Sequence, residues 1–180
     1  MKLTEYTSLD GVGLAELISK GEVTAEEVKV AAIDAIHKVN SEINAVIEVW
    51  DDECSTDSGA LKGVPVLVKD LGISIKNRRN ELGSRLAAGY VSPKDSNLTR
   101  RMKDAGLLLL GRTTTPELAA STTTAPRLNG SPRNPWNTDS SARASSGGPP
   151  APAPSALLPA AHAPAAVPPL RVPASHLGFS

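Results

Sequence analysis

Apolar residues recur at helical spacing twice within residues 8 to 40. In the first stretch Leu14, Leu17 and Ile18 form one face, with Ser8 or Asp10 placed as an N-cap and Gly21 placed where the chain must leave the helix with positive φ. In the second, Val28, Ala31, Ala32, Ala35, Ile36 and Val39 come after the segment TAEE, in which the Thr24 hydroxyl and the Glu27 carboxylate can satisfy each other's backbone N–H groups. The period then shortens. INAVIEVW, rich in β-branched residues, predicts a strand, DDECSTDSGALKG a polar loop, and GVPVLVKD, residues 63 to 70, a buried strand that ends in two charges. DSNLTRRMKDA predicts a helix with Leu98 and Met102 as its apolar positions and Gly106 as its stop. LLLLG predicts another buried strand, and TPELAAS a short helix with Pro116 in its first turn. Strand, helix, strand in this order argues for an α/β protein, whose chemistry belongs at the C-terminal ends of its strands.

Composition narrows the function classes. The formal net charge is zero, with both signs spread along the 180 residues, so nothing argues for nucleic acid or an anionic membrane surface as a partner. A small or neutral molecule is the expected partner. The single cysteine, Cys54, excludes an internal disulfide and reads as a loop thiol in a reducing compartment. His37, His162 and His176 have no ligand spacing, so no metal site is expected. The N-terminus lacks a signal-like apolar stretch, AGLLLLG is too short to span a bilayer, and the expectation is a soluble cytoplasmic protein.

Two places carry candidate chemistry. Lys69 ends an apolar strand, and burial there would disfavour its ammonium form and bring a neutral amine within reach as a base. Asp70 is adjacent, but side chains alternate across a strand, so its carboxylate should face away. The second place is the stretch SARASSGG, residues 141 to 148, where Ser145, Ser146, Gly147 and Gly148 by themselves read as an ordinary loop. Arg78 and Arg79 read as a solvated loop rather than an anion site.

Taken together, LKGVPVLVKDLGIS, LLLLGRTTTPELA, RNPWNTDSSARASSGG and RVPASHLG resemble the amidase signature family of serine hydrolases, in order and from about residue 11 onward. The segments NPWN and SSGG look most like the bacterial amidases that include hydrolases of cyclic amide oligomers. The resemblance implies an α/β/α sandwich around a mixed β-sheet, hydrolysis of carbon–nitrogen bonds in a small-molecule amide, no cofactor, and a homo-oligomer in the full-length family. It implies a Ser/cis-Ser/Lys triad with Lys69 as the base and Ser145 as the bridging serine, in a turn formed with Ser146, Gly147 and Gly148. The third member is a nucleophilic serine 24 positions further on.

Here that position is Pro169. Proline has no hydroxyl, and Pro168 and Pro169 also lack the N–H groups from which the family builds its oxyanion hole. Residues 1 to 148 hold six prolines and residues 149 to 180 hold nine, and because the motif keeps its register through to RVPASHLG the resemblance implies that 149 to 180 are a Pro/Ala-rich degenerate continuation of the amidase domain begun in 1 to 148. Pro152 and Pro154 fall inside an expected helix, and Arg143 and Ala144 stand where glycines should precede Ser145. The expectation is therefore an inactive chain, truncated relative to its family and prone to aggregate. Three alternatives stand beside it: the A-type subunit of a tRNA-dependent amidotransferase, a non-catalytic interaction protein that uses its PPAP segment, and a decayed gene product.

Overall fold

The computed structural model describes residues 1–54, 56, 58–121, 123–141 and 160–161. Three helices open the chain: α1 (Leu3–Tyr6), which sequence periodicity does not reveal, α2 (Gly11–Lys20) and α3 (Ala25–Ile43). Asp10 caps α2 by accepting the Gly13 N–H, and Gly21 ends it at φ 72°. Thr24 and Glu27 form the expected reciprocal cap of α3, and Asn44 leaves that helix in the left-handed region. Strand β1 (Val46–Val49) comes next, and then β2 (Pro65–Lys69), every residue of which is buried. Helix α4 (Asn97–Asp104), capped by Ser96, leads into β3 (Leu108–Thr113). Leu98 on α4 is exposed, whereas Thr99 is fully buried and donates its hydroxyl to the Ser74 carbonyl.

The main sheet has the order β1-β3-β2-β6, where β6 is Ala160–Ala161. It is mixed: β3 runs antiparallel to β1 and parallel to β2, and β2 is parallel to β6. One face packs on α1 to α3 through Tyr6, Leu14, Val28, Ala32, Ile36, Leu67, Leu108 and Leu110. The other packs Trp50, Val66, Val68, Ile73, Ile75 and Leu109 against Met102 of α4. Helices on both faces of a mixed sheet give the α/β/α arrangement expected from the sequence. A separate polar hairpin, β4 (Arg133–Asn134) with β5 (Asn137–Ser141), covers the NPWN turn.

Two irregularities decide which side chains meet at the sheet's C-terminal end. Val66 pairs with Leu109 but Leu67 pairs with Gly111, so Leu110 is an extra residue in β3. Val46 pairs with Thr113 but Glu48 pairs with Arg112, so Ile47 is an extra residue in β1. Each bulge reverses the facing of the residues beyond it. Past the bulges, Lys69 pairs with Thr113, and Arg112 lies beside Val68 and Glu48. The strands also approach closely here, since a Cβ on Gly111 would stand 2.2 Å from the Glu48 carbonyl oxygen. Gly111→Ala must spread β1 from β3, and we expect a loss of about 1 to 3 kcal/mol in urea unfolding.

TPELAAS does not form the short helix that its composition suggests. Only a single 3₁₀ turn at Glu117–Ala119 is present, broken by Leu118 and Ala119 at φ 51° and 54°. The Leu118 N–H is drawn out of line by the Leu82 carbonyl, which accepts it at 2.9 Å.

Candidate active site

Lys69 is the last residue of β2 and is 2% exposed. Alternation along the strand places Leu67 and Lys69 toward α3, and Val66, Val68 and Asp70 toward α4. Burial lowers the pKa of the Lys69 ammonium from the ordinary 10.5 to about 8. At neutral pH a measurable fraction of this side chain is therefore the neutral amine, which is the form a base requires.

Asp70 faces away from Lys69, as alternation predicts, and its carboxylate is fully engaged. It accepts the Glu81 N–H at 2.9 Å, the Gly83 N–H at 3.2 Å and Arg112 Nη1 at 3.0 Å. Arg112 is 4% exposed and also binds Glu48 at 2.6 Å and Glu81 at 2.5 Å. Burial works against the guanidinium charge, but Asp70, Glu81 and Glu48 outweigh it and hold the group above the ordinary arginine range. Burial likewise works against the Glu81 charge, and the Gly89 N–H with Arg112 outweighs it, so Glu81 lies below the usual carboxylate range. For Asp70 burial prevails and pushes the carboxyl up, against Arg112 and the two N–H donors.

Sequence reasoning missed Arg112. It stands inside the GRTTTPELA motif, and the signal that could have found it is a charge in the middle of an otherwise apolar buried strand. Arg78 is also not the solvated residue that the sequence suggests. It pairs with Asp52 at 2.7 Å and Glu53 at 2.9 Å and lies over the Trp50 ring at 5.1 Å, because the loop after β1 turns back onto it. Cys54 is exposed in its loop, as expected. Among the described residues no cluster of His, Cys, Asp or Glu could hold a metal ion, and no helix is long and apolar enough to cross a membrane.

Ser145, Ser146, Gly147, Gly148 and Pro169 lie outside the described residues, as does the boundary at residue 148. Two open clefts of about 540 and 630 Å³ lie elsewhere, one between the end of α3 and the β4–β5 hairpin and the other beside the start of α4. Neither is lined by Lys69.

A family model described as Amidase matches residues 24–178. The 6-aminohexanoate-cyclic-dimer hydrolase of Paenarthrobacter ureafaciens is 39% identical over 145 residues, covering 77% of this chain and 29% of that protein. The A subunit of the glutamyl-tRNA(Gln) amidotransferase of Thermobifida fusca (strain YX) is 34% identical over 159 residues, covering 81% of this chain and 32% of that protein. A solved structure of 6-aminohexanoate cyclic dimer hydrolase complexed with substrate superimposes with a TM-score of 0.86 at 37% identity, over 94% of this chain and 36% of that one. Fatty acid amide hydrolase, at 21% identity and a TM-score of 0.88, shares the fold. The chain thus spans about a third of the length of these relatives.

Proposed function

This chain belongs to the amidase signature family, and from that premise we propose that Lys69 is the base of a Ser/cis-Ser/Lys site for the hydrolysis of carbon–nitrogen bonds in small amides. The observation that carries the reading is the placement of Lys69: last in a fully buried parallel strand, nearly inaccessible to water, with its ammonium pKa lowered to about 8 by burial. In the proposed reaction the neutral amine of Lys69 takes a proton from the Ser145 hydroxyl. Ser145 in turn takes the proton of the group that attacks the amide carbonyl, and the proton is then delivered to the departing amine. Water then hydrolyses the acyl group left on the attacking residue, releasing the acid. Cyclic and linear amide oligomers are the substrate class we favour, by analogy with the cyclic-dimer hydrolase relative.

The attacking group is the weak link. Position 169 is proline, which offers no nucleophile, and Pro168 and Pro169 offer no N–H to a developing oxyanion. Loss of one such donor costs roughly 2.7 to 4 kcal/mol of transition-state stabilisation, so we propose that the chain does not turn over. Aryl-amide and cyclic-amide hydrolysis by the purified chain is expected at the uncatalysed rate, with Lys69→Ala no different. Product release that Lys69→Ala abolishes would overturn the inactivity and keep the base; release that survives Lys69→Ala would overturn both. Similarity to the amidotransferase relative supports a second reading, tested by co-purification with partner subunits and glutamine-dependent ammonia transfer.

A further inference from the structure

Arg112 draws one carboxylate from each of three separate elements: Glu48 from β1, Asp70 from the end of β2, and Glu81 from the loop that spans residues 79 to 91. That loop closes on itself through the Arg79–Val91 bridge and the Asn80 N–H, which donates to the Tyr90 carbonyl. From Arg112 the contacts run outward in sequence. Asp70 accepts the N–H groups of Glu81 and Gly83, and the second oxygen of Glu81 accepts the Gly89 N–H at 2.7 Å. The Ser84 hydroxyl then donates to Glu117 at 2.7 Å, and Leu118 donates its N–H to the Leu82 carbonyl, which fastens the loop to the turn after β3. In that turn Leu118 and Ala119 both hold positive φ, a conformation that persists in residues with a Cβ only where the surroundings impose it. Three acids gathered on one buried guanidinium are a poor device for stability, since apolar side chains of the same volume do as well or better. They are a good device for geometry, because each acid must sit where the planar fork can reach it.

We propose that Arg112 is a positioning residue, which locks the end of β2, the 79–91 loop and the 116–120 turn into one arrangement and thereby fixes how Lys69 is presented. It lies on the opposite face of the strand pair from Lys69 and acts through the Asp70 backbone. Its significance for catalysis rests on the reading of Lys69 as a base. Its structural content does not.

The test uses the full chain, Arg112→Met, and Glu117→Gln, which alters only the outer clasp and keeps its shape. Amide hydrogen exchange reads the loops, and the side-chain resonance of isotopically labelled Lys69 at fixed pH reads its presentation. In Arg112→Met the Gly83, Gly89 and Leu118 amides should lose at least about tenfold more protection than Leu109 and Leu110, the scale of a lost hydrogen bond beyond any global loss of stability. The Lys69 resonance should shift or split. Glu117→Gln should do the same in milder form, centred on Leu118. Loosened loops with an unmoved Lys69 resonance would overturn the proposal, as would protection lost equally throughout β3 or no change in either readout. None of these readouts involves hydrolysis, so a failure of the amidase reading and a failure of this one are separable.

Discussion

Arg112→Ala is expected to destabilise the fold by about 3 to 5 kcal/mol at neutral pH, a loss larger than that expected of Gly111→Ala. The side chain is almost wholly buried and is the cation for Glu48, Asp70 and Glu81, of which the last two are themselves buried. Removing it leaves those acids facing one another in a low-dielectric interior, and that penalty, rather than any net attraction lost, dominates the cost. The pH dependence distinguishes this cause from a packing defect. In the variant the stranded carboxyls bind protons more tightly folded than unfolded, so their penalty is fully present above their raised folded pKa values, fades as pH falls from there, and is gone below the unfolded carboxyl range near about 4. In the native chain Glu81 is held low by the Gly89 N–H and Arg112, so the stability it contributes is lost further down, as pH falls from the unfolded carboxyl range through its lowered folded value. The native and variant curves from urea unfolding should therefore converge on acidification. A deficit independent of pH would mean that lost packing of the arginine stem, not charge, accounts for the effect. Arg112→Lys, which keeps the cation, should recover much of the loss.

The contrast between Lys69 and Arg112 shows what was legible in the sequence. Lys69 could be found because VPVLVK is an uninterrupted apolar run, so a lysine at its end has to be either buried or frayed, and simple alternation then placed Asp70 on the other face. The same alternation applied to LLLLGRT puts Leu108, Leu110 and Arg112 on one face, toward α3. The chain instead uses Leu110 as an extra residue, which turns Arg112 over to meet Asp70, and Ile47 does the same for Glu48. A bulge in a run of four identical leucines leaves no trace in the pattern, so the ion cluster was invisible although all its members could be read. The cap of α3 was legible because Thr24 and Glu27 satisfy each other within one turn. The turn at residues 116–120 was not, because what keeps it from being a helix is a carbonyl at Leu82, far off in the chain. The β4–β5 hairpin was missed for a different reason: its strands are short and polar, and carry no apolar alternation to detect.

Lys69→Met is expected to stabilise the protein near neutral pH while removing whatever basic function the site has. Burial lowers the Lys69 pKa to about 8, whereas the same group in the unfolded chain titrates near 10.5. Between these values the unfolded state binds the proton and the folded state does not, so unfolding takes up protons and stability rises with pH across that window. Below about pH 8 both states are protonated, and the fold carries the full cost of a charged ammonium in the interior. The difference of 2.5 between the two values amounts to about 3 kcal/mol, which methionine, of similar length and apolar, does not incur. The variant should thus exceed the native chain by up to about 3 kcal/mol at pH 7, and the advantage should vanish as pH approaches 10.5. Other groups titrate in the same range with the opposite sign. Tyr6, whose phenol is pushed up by burial, costs the fold stability once the unfolded chain's tyrosine ionises. Because Tyr6 is common to both proteins, the difference between their unfolding free energies isolates Lys69. A difference that does not change between pH 7 and pH 10 would show that Lys69 is held with its ordinary affinity for a proton, and the case for it as a base would fall with that result.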